Sequence, residues 1–141
     1  MAHIKKDDKY YQGLYAYRIQ NEKYRYYEPS GVGEDFANAV GSNDYFILFL
    51  SAANGVGKTA LATNIIANLC WPGNNPWFRD GLFKEWPYLK RGRIITESDL
   101  AEKNVINELK NWFPYGLYRT KKAGKHFESR WFTNTGWDWD I

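Results

Sequence analysis

The sequence predicts an α/β domain in three layers, a parallel central sheet covered by helices on both faces. Three observations predict it. The run Tyr45-Phe-Ile-Leu-Phe-Leu50 is apolar throughout instead of alternating, as in a strand buried on both faces. It is followed at once by a glycine-bearing segment, Ser51-Ala-Ala-Asn-Gly-Val-Gly57, suited to a tight strand-to-helix turn. Residues Lys58 to Cys70 are then rich in Ala and Leu and read as a helix.

Strand, glycine loop, Lys-Thr and helix together form the layout of a P-loop, a phosphate cradle for ATP. The candidate nucleotide-binding residues are Ala53, Asn54, Gly55, Val56, Gly57, Lys58, Thr59 and Ala60. Successive backbone N–H groups make a concave nest for phosphate oxygens. The helix N-terminus adds partial positive charge at the same place. Lys58, the candidate catalytic residue, reaches toward the β- and γ-phosphates, and the Thr59 hydroxyl joins the shell of Mg²⁺. The strict pattern has glycine where this chain has Ala52. Relaxed to Ala or Gly, it arises by chance in on the order of one in a hundred chains this long. Its place between a buried-type strand and a helix lowers that figure further. The rival reading is a hairpin turn at Asn54-Gly55. That turn needs a second strand after it, and the segment from Gly57 to Leu69 looks helical instead.

The chain has 141 residues, one domain's worth, divided here into a tyrosine-rich lead-in over 1–44 and a partial P-loop domain over 45–141. A formal net charge of +3 is compatible with nucleic acid without arguing for it. Aromatic residues make up 18%, enough to fill a core and still leave rings for stacking or interfaces. A single cysteine, Cys70, excludes an internal disulfide and suits a reducing cytoplasm. It reads as a small buried hydrophobe. The sequence contains neither an apolar run long enough for a membrane span nor a secretory h-region after Met1.

Along the lead-in, Tyr11, Leu14, Tyr15 and Arg18 fall at helical spacing. Glu28-Pro-Ser-Gly-Val-Gly33 is a turn signal, and 34–40 suits a short helix. Past Cys70, Trp71-Pro-Gly-Asn-Asn-Pro76 stops the helix, and 77–92 reads as irregular. Arg93 to Glu97 is a short strand candidate. Ser98 or Asp99 caps a helix to about Trp112, with Asp99 and Glu102 resembling a capping box. Its apolar stripe is Val105, Ile106, Leu109, Trp112 and Phe113, and Pro114 ends it. Tyr115 to Lys125 reads as a basic loop. His126 to Thr133 alternates as a strand, and 137–141 as the second strand of a hairpin.

A P-loop hydrolase also needs an acidic residue at the end of a second core strand to hold Mg²⁺. Ile94-Ile95-Thr96-Glu97 is too short and weakly apolar, and Asp138 and Asp140 lack a preceding apolar strand. The sequence therefore favours a sheet that is incomplete at its C-terminal side in a natural protein that continues beyond Ile141, over the rival reading of a self-contained small protein with a degenerate site.

The segment Leu48-Phe-Leu-Ser-Ala-Ala-Asn-Gly-Val-Gly-Lys-Thr59 resembles the P-loop of phage terminase large subunits, the ATPase motors that package viral DNA. Upstream, Tyr26-Tyr-Glu-Pro-Ser-Gly31 with Glu34-Asp-Phe36 is similar to the stretch that precedes it in that family. Downstream, Pro87 to Arg93, the helix ending Leu109-Lys-Asn-Trp-Phe-Pro114 and a basic loop before a Trp/Phe strand follow a similar order. The resemblance implies an N-terminal ATPase core using ATP and Mg²⁺, and a nuclease further on. It implies double-stranded DNA, a portal protein and a small terminase subunit as partners, homo-oligomeric assembly on the portal, and the host cytoplasm as the location. The chain departs from the family in having no arginine inside the loop and no clear match to an upstream glutamine near the adenine. Arg79, Arg91 and Arg93 are alternative sources of positive charge. The same residues leave open a helicase-like motor, a small nucleotide kinase without an evident lid, and a non-enzymatic nucleic-acid-binding module with aromatic stacking platforms. The basic loop from Tyr115 to Trp131 is read equally as a DNA contact and as a solvated hairpin tip.

Overall fold

A computed structural model describes residues 7–45, 47–51 and 57–141. The lead-in folds into helix α1 (Asp8–Asn21), a 3₁₀ turn (Lys23–Tyr26) and helix α2 (Gly31–Ser42). Asp7 caps α1, its carboxylate accepting from the Tyr10 N–H at 3.0 Å. Each side chain of α1 is exposed or half-buried, so caps, local pairs and one long-range backbone bond hold it: Arg18 meets Glu22 at 3.5 Å, the rings of Tyr15 and Tyr26 meet edge-on at 5.5 Å, and the Tyr115 N–H donates to the Asn21 carbonyl at 2.8 Å. The turn signal before α2 becomes the helix start itself. Ser30 is the cap, its Oγ accepting from the Gly33 N–H at 3.2 Å, and Asn43 closes the other end in the left-handed region.

Helix α3 (Lys58–Cys70) forms as expected and is buried on most sides. Its polar residues survive burial by bonding to the helix's own carbonyls. Thr63 Oγ1 donates to Thr59 O at 2.7 Å, Asn64 Nδ2 to Ala60 O at 2.8 Å, and Asn68 Nδ2 to Asn64 O at 2.8 Å. Helix α2 crosses it closely: a Cβ at Gly33 would lie 3.1 Å from a Leu61 methyl. Helix α4 (Asp99–Trp112) starts with the Glu102 N–H donating to the Ser98 carbonyl at 3.0 Å, which makes Ser98 the residue ahead of the first turn. Ile106, Leu109 and Phe113 are the buried part of its stripe.

The strands are β1 (Arg91–Arg93), β2 (Tyr118–Lys121), β3 (Arg130–Thr133) and β4 (Asp138–Asp140), in the spatial order β1-β4-β3-β2. Only β1 and β4 run parallel; β4–β3 and β3–β2 are antiparallel, so the sheet is mixed and not parallel as expected. Connection length explains the difference. The chain returns from β2 to β3 through 122–129 and from β3 to β4 through 134–137, connections too short for the crossover that a parallel pair needs. The path from β1 to β4 passes through α4 and is long enough for a parallel crossover. Strand β2 lies inside the segment expected to be a basic loop.

The expected central strand over 45–50 does not form. Tyr45 and residues 47–50 carry no strand geometry, and Phe46 lies outside the described residues. Instead of burial on both faces, Phe49 is 89% exposed and Ile47 63%, while Leu50 packs on the core. A strand needs a ladder on at least one edge, and none of the four strands pairs with this run.

The helices cover one face of the sheet. Trp131 from β3 and Trp139 from β4 are buried there, with Phe113 edge-on to Trp131 at 5.8 Å and to Trp71 at 5.1 Å. Tyr118 stacks on Trp131 at 5.1 Å. Tyr24 and Ala37 of the lead-in belong to the same core. Trp137, Phe78 and Phe83 complete the buried aromatic part of this core. Tyr10, Tyr11, Tyr15 and Tyr17 of α1, by contrast, stay exposed.

Candidate functional site

The start of α3 opens onto a cleft of about 570 Å³. One wall is Leu50, Ser51, Gly57, Lys58, Ala60 and Leu61; the other comes from the lead-in, Tyr27, Glu28, Ser30, Val32 and Gly33. Gly57 takes φ of 84°, a left-handed conformation that a Cβ opposes, and this turns the chain into the helix. Among the described residues no side chain caps α3, and its first turn holds no acidic residue. That terminus carries the partial positive charge of its first-turn amides. The first turn of α2 faces the same cleft through Ser30, Val32 and Gly33, so two helix N-termini converge on it.

Of the sequence-predicted residues, Gly57, Lys58 and Ala60 line this cleft. Lys58 is half-buried, and Thr59 is exposed one position further along the helix. Ala53, Asn54, Gly55 and Val56 lie outside the described residues.

The opposite wall is held in place from the far end of α3. Asn75, in the loop after that helix, donates from Nδ2 to the carbonyls of Tyr24 and Tyr27, each at 2.8 Å. Its Oδ1 accepts from the Trp77 N–H at 2.8 Å. Asn74 Nδ2 reaches the Tyr24 hydroxyl at 3.0 Å. Sequence reasoning saw only a helix stop here, because an asparagine among Pro and Gly carries the same local signal whether it turns the chain or bridges distant segments. Tyr27, Glu28, Ser30 and Val32 were missed as site residues for a related reason: no local pattern brings a lead-in to a loop about 30 residues away. Burial raises the Tyr27 phenol above its usual value, so at neutral pH it is an uncharged donor.

The carboxylates weighed for a second acidic motif are elsewhere. Arg130 Nη2 donates to both oxygens of Asp138, at 2.9 and 2.8 Å, and Arg93 donates through Nε and Nη2 to Asp140 Oδ2 at 3.1 and 2.8 Å. Neither aspartate lines the cleft; Glu28 does. Ile95 is 85% exposed and Glu97 is exposed, so 94–97 is no buried acidic strand. Among the described residues no group of three His, Cys, Asp or Glu side chains could hold a metal ion. Arg79, Arg91 and Arg93 are exposed, and none of them lines the cleft. Among the described residues no helix is long and apolar enough to cross a membrane. Comparison of the chain with family models, with curated proteins and with solved structures finds no match.

Proposed function

We propose that the chain binds ATP with Mg²⁺ in this cleft, as the nucleotide-binding part of a DNA-packaging ATPase of the terminase type. The observation that carries the reading is the glycine-led start of α3 facing the lead-in wall across one cleft. The residues suit the ligand. The volume lies within the range of about 300–1,000 Å³ usual for small-molecule sites. The first-turn amides of α3 and the Lys58 ammonium suit phosphate oxygens. Tyr27, Val32, Leu50 and Leu61 supply apolar surface for a base, and Glu28 supplies an acceptor for an amino or hydroxyl group. Thr59 is the residue that would hold Mg²⁺, which when bound neutralises charge on the phosphates. Lys58 would do the same for charge developing on the transferred phosphoryl group. Hydrolysis also asks for a strand beside 45–50 that ends in a carboxylate; the unpaired backbone and exposed side chains of that run suit such a neighbour.

Calorimetric titration with ATP tests the reading. The expected result is Mg²⁺-dependent binding that Lys58→Ala weakens at least about tenfold, the equivalent of about 1.4 kcal/mol. Thr59→Ala removes the Mg²⁺ dependence while leaving metal-free binding intact. ATP binding unchanged by Lys58→Ala would overturn the assignment. In the packaging motor, Lys58→Ala abolishes turnover.

A further inference from the structure

The sheet face turned away from the helices is strongly cationic. Residues opposite one another in a ladder point to the same side. The register places Arg91 beside Asp138, Arg93 and Arg130 beside Asp140, Lys121 beside Arg130, and Arg119 beside Phe132. Five cations therefore share this face with two carboxylates, a surplus of three positive charges. Both carboxylates are engaged, Asp140 by Arg93 and Asp138 by Arg130, each at 2.8 Å. Arg91, Arg119 and Lys121 lie outside these two pairs and are exposed.

The face also holds a ring. Phe132 is half-buried, with the guanidinium carbon of Arg119 at 5.2 Å and that of Arg130 at 5.3 Å from its centroid. A depression of about 330 Å³ opens beside it, lined by Arg119, Thr120, Lys121 and Phe132. A second, of about 390 Å³, lies over β1 and β4 between Arg91, Arg93 and Arg130. From β1 to β2 the face spans three strand spacings, about 14 Å.

We infer that this face binds single-stranded nucleic acid. The charge surplus suits a polyanion, and the layer of Phe132 and flanking guanidinium planes suits an unpaired base, which stacks on both kinds of surface. A duplex would meet the cations but bury its base faces within its own stack. An acidic polypeptide would match the charge and leave the ring unused. The inference rests on the sheet face and is independent of the nucleotide cleft.

The test is fluorescence anisotropy of the nucleotide-free protein with a labelled oligothymidylate of about 15 nucleotides, a length within usual single-strand site sizes. A duplex of equal length and heparin serve as competitors. The expected slope of log K against log salt is about −2, from three phosphates at about 0.7 each. Arg119→Ala and Lys121→Ala, on an exposed edge strand, each make that slope shallower by about 0.7. Phe132→Ala lowers affinity about tenfold with the slope unchanged. Phe132→Trp retains the stacking surface and binds at least as tightly as the parent, and it decides the role of the ring if the alanine variant unfolds. Duplex or heparin competing as well as the single strand would overturn the inference, as would unchanged binding by the Arg119 and Lys121 variants or a loss of affinity in Phe132→Trp. Such a failure leaves the ATP titration unaffected.

Discussion

The indole Nε1 of Trp139 donates to the Cys70 sulfur at 3.2 Å, joining the last turn of α3 to strand β4 across 69 positions of sequence. Both groups are buried, and burial pushes the Cys70 thiol from 9.0 up to about 12, with the indole bond opposing the shift. Because the thiolate is the reactive form, native Cys70 should resist thiol reagents at neutral pH. A shift of this size alone lowers the thiolate fraction about a thousandfold. The expected outcome is slow labelling of the native protein and rapid labelling in urea. Equal rates would show that the helix–sheet junction is open.

The same group sets a pH dependence. The folded value is raised, so its contribution to stability is complete below the unfolded value of 9.0 and is lost as pH rises from there toward about 12. Tyr24, Tyr27 and Tyr118, raised above 10.0 chiefly by burial, act in the same direction. Urea midpoints should be flat from about pH 7 to 8.5 and fall above about pH 9. Cys70→Ala should make the early part of that fall shallower. A midpoint constant to about pH 11 would contradict the burial of these groups.

Gly92 lies opposite Trp139 in the parallel ladder, and a Cβ there would come within 2.1 Å of the indole ring. The ring is buried and Sγ of Cys70 already engages its nitrogen, so it has little freedom to yield. Gly92→Ala should cost about 1–3 kcal/mol in urea denaturation, the range for overpacking. A cost below about 0.5 kcal/mol would mean that the ring moves freely.

Gly57 poses a different constraint. Among the described residues nothing lies within 4 Å of a Cβ built there, so the cost of substitution comes from its φ of 84°. Gly57→Ala should destabilise by about 1–2 kcal/mol. It should also weaken ATP binding more than its effect on stability explains, since it turns the first amides of α3. Unchanged ATP affinity in a folded variant would remove Gly57 from the site.

Asn75 joins three backbone groups, two carbonyls of the lead-in and one N–H of its own loop. Asn75→Ala strands them in a buried place, at about 1–3 kcal/mol for an unsatisfied group. Asn75→Asp keeps the acceptor for Trp77 but removes both donors. Both variants should loosen the Tyr27–Gly33 wall and weaken the proposed nucleotide binding without altering the start of α3. Protease cleavage within 22–30 should rise in parallel. A variant that stays protected there and binds ATP normally would show that the wall is held by something else.

Helices were the legible part of this fold. Lys58–Cys70 and Asp99–Trp112 could be read because their signals are local: a glycine or serine before the first turn, an apolar face at helical spacing, and Pro72 or Pro114 after the last. β2 was not legible, since Tyr118 is its one half-buried residue and the other three are exposed on a sheet edge. The mixed direction of the sheet was readable in principle from its short turns, but the apolar run at 45–50 argued for a parallel one.

By itself the sequence determined the helix Lys58–Cys70, the glycine that leads into it and the ending of that helix, because each depends on the chemistry of adjacent residues. Tertiary structure alone decided the rest. It left 45–50 without a ladder, because pairing requires a distant edge. It brought the lead-in over the start of α3 through Asn75, because a hydrogen bond is indifferent to separation along the chain. It gathered Arg91, Arg93, Arg119, Lys121 and Arg130 on one face, because side chains far apart in sequence become neighbours only when strands align in register.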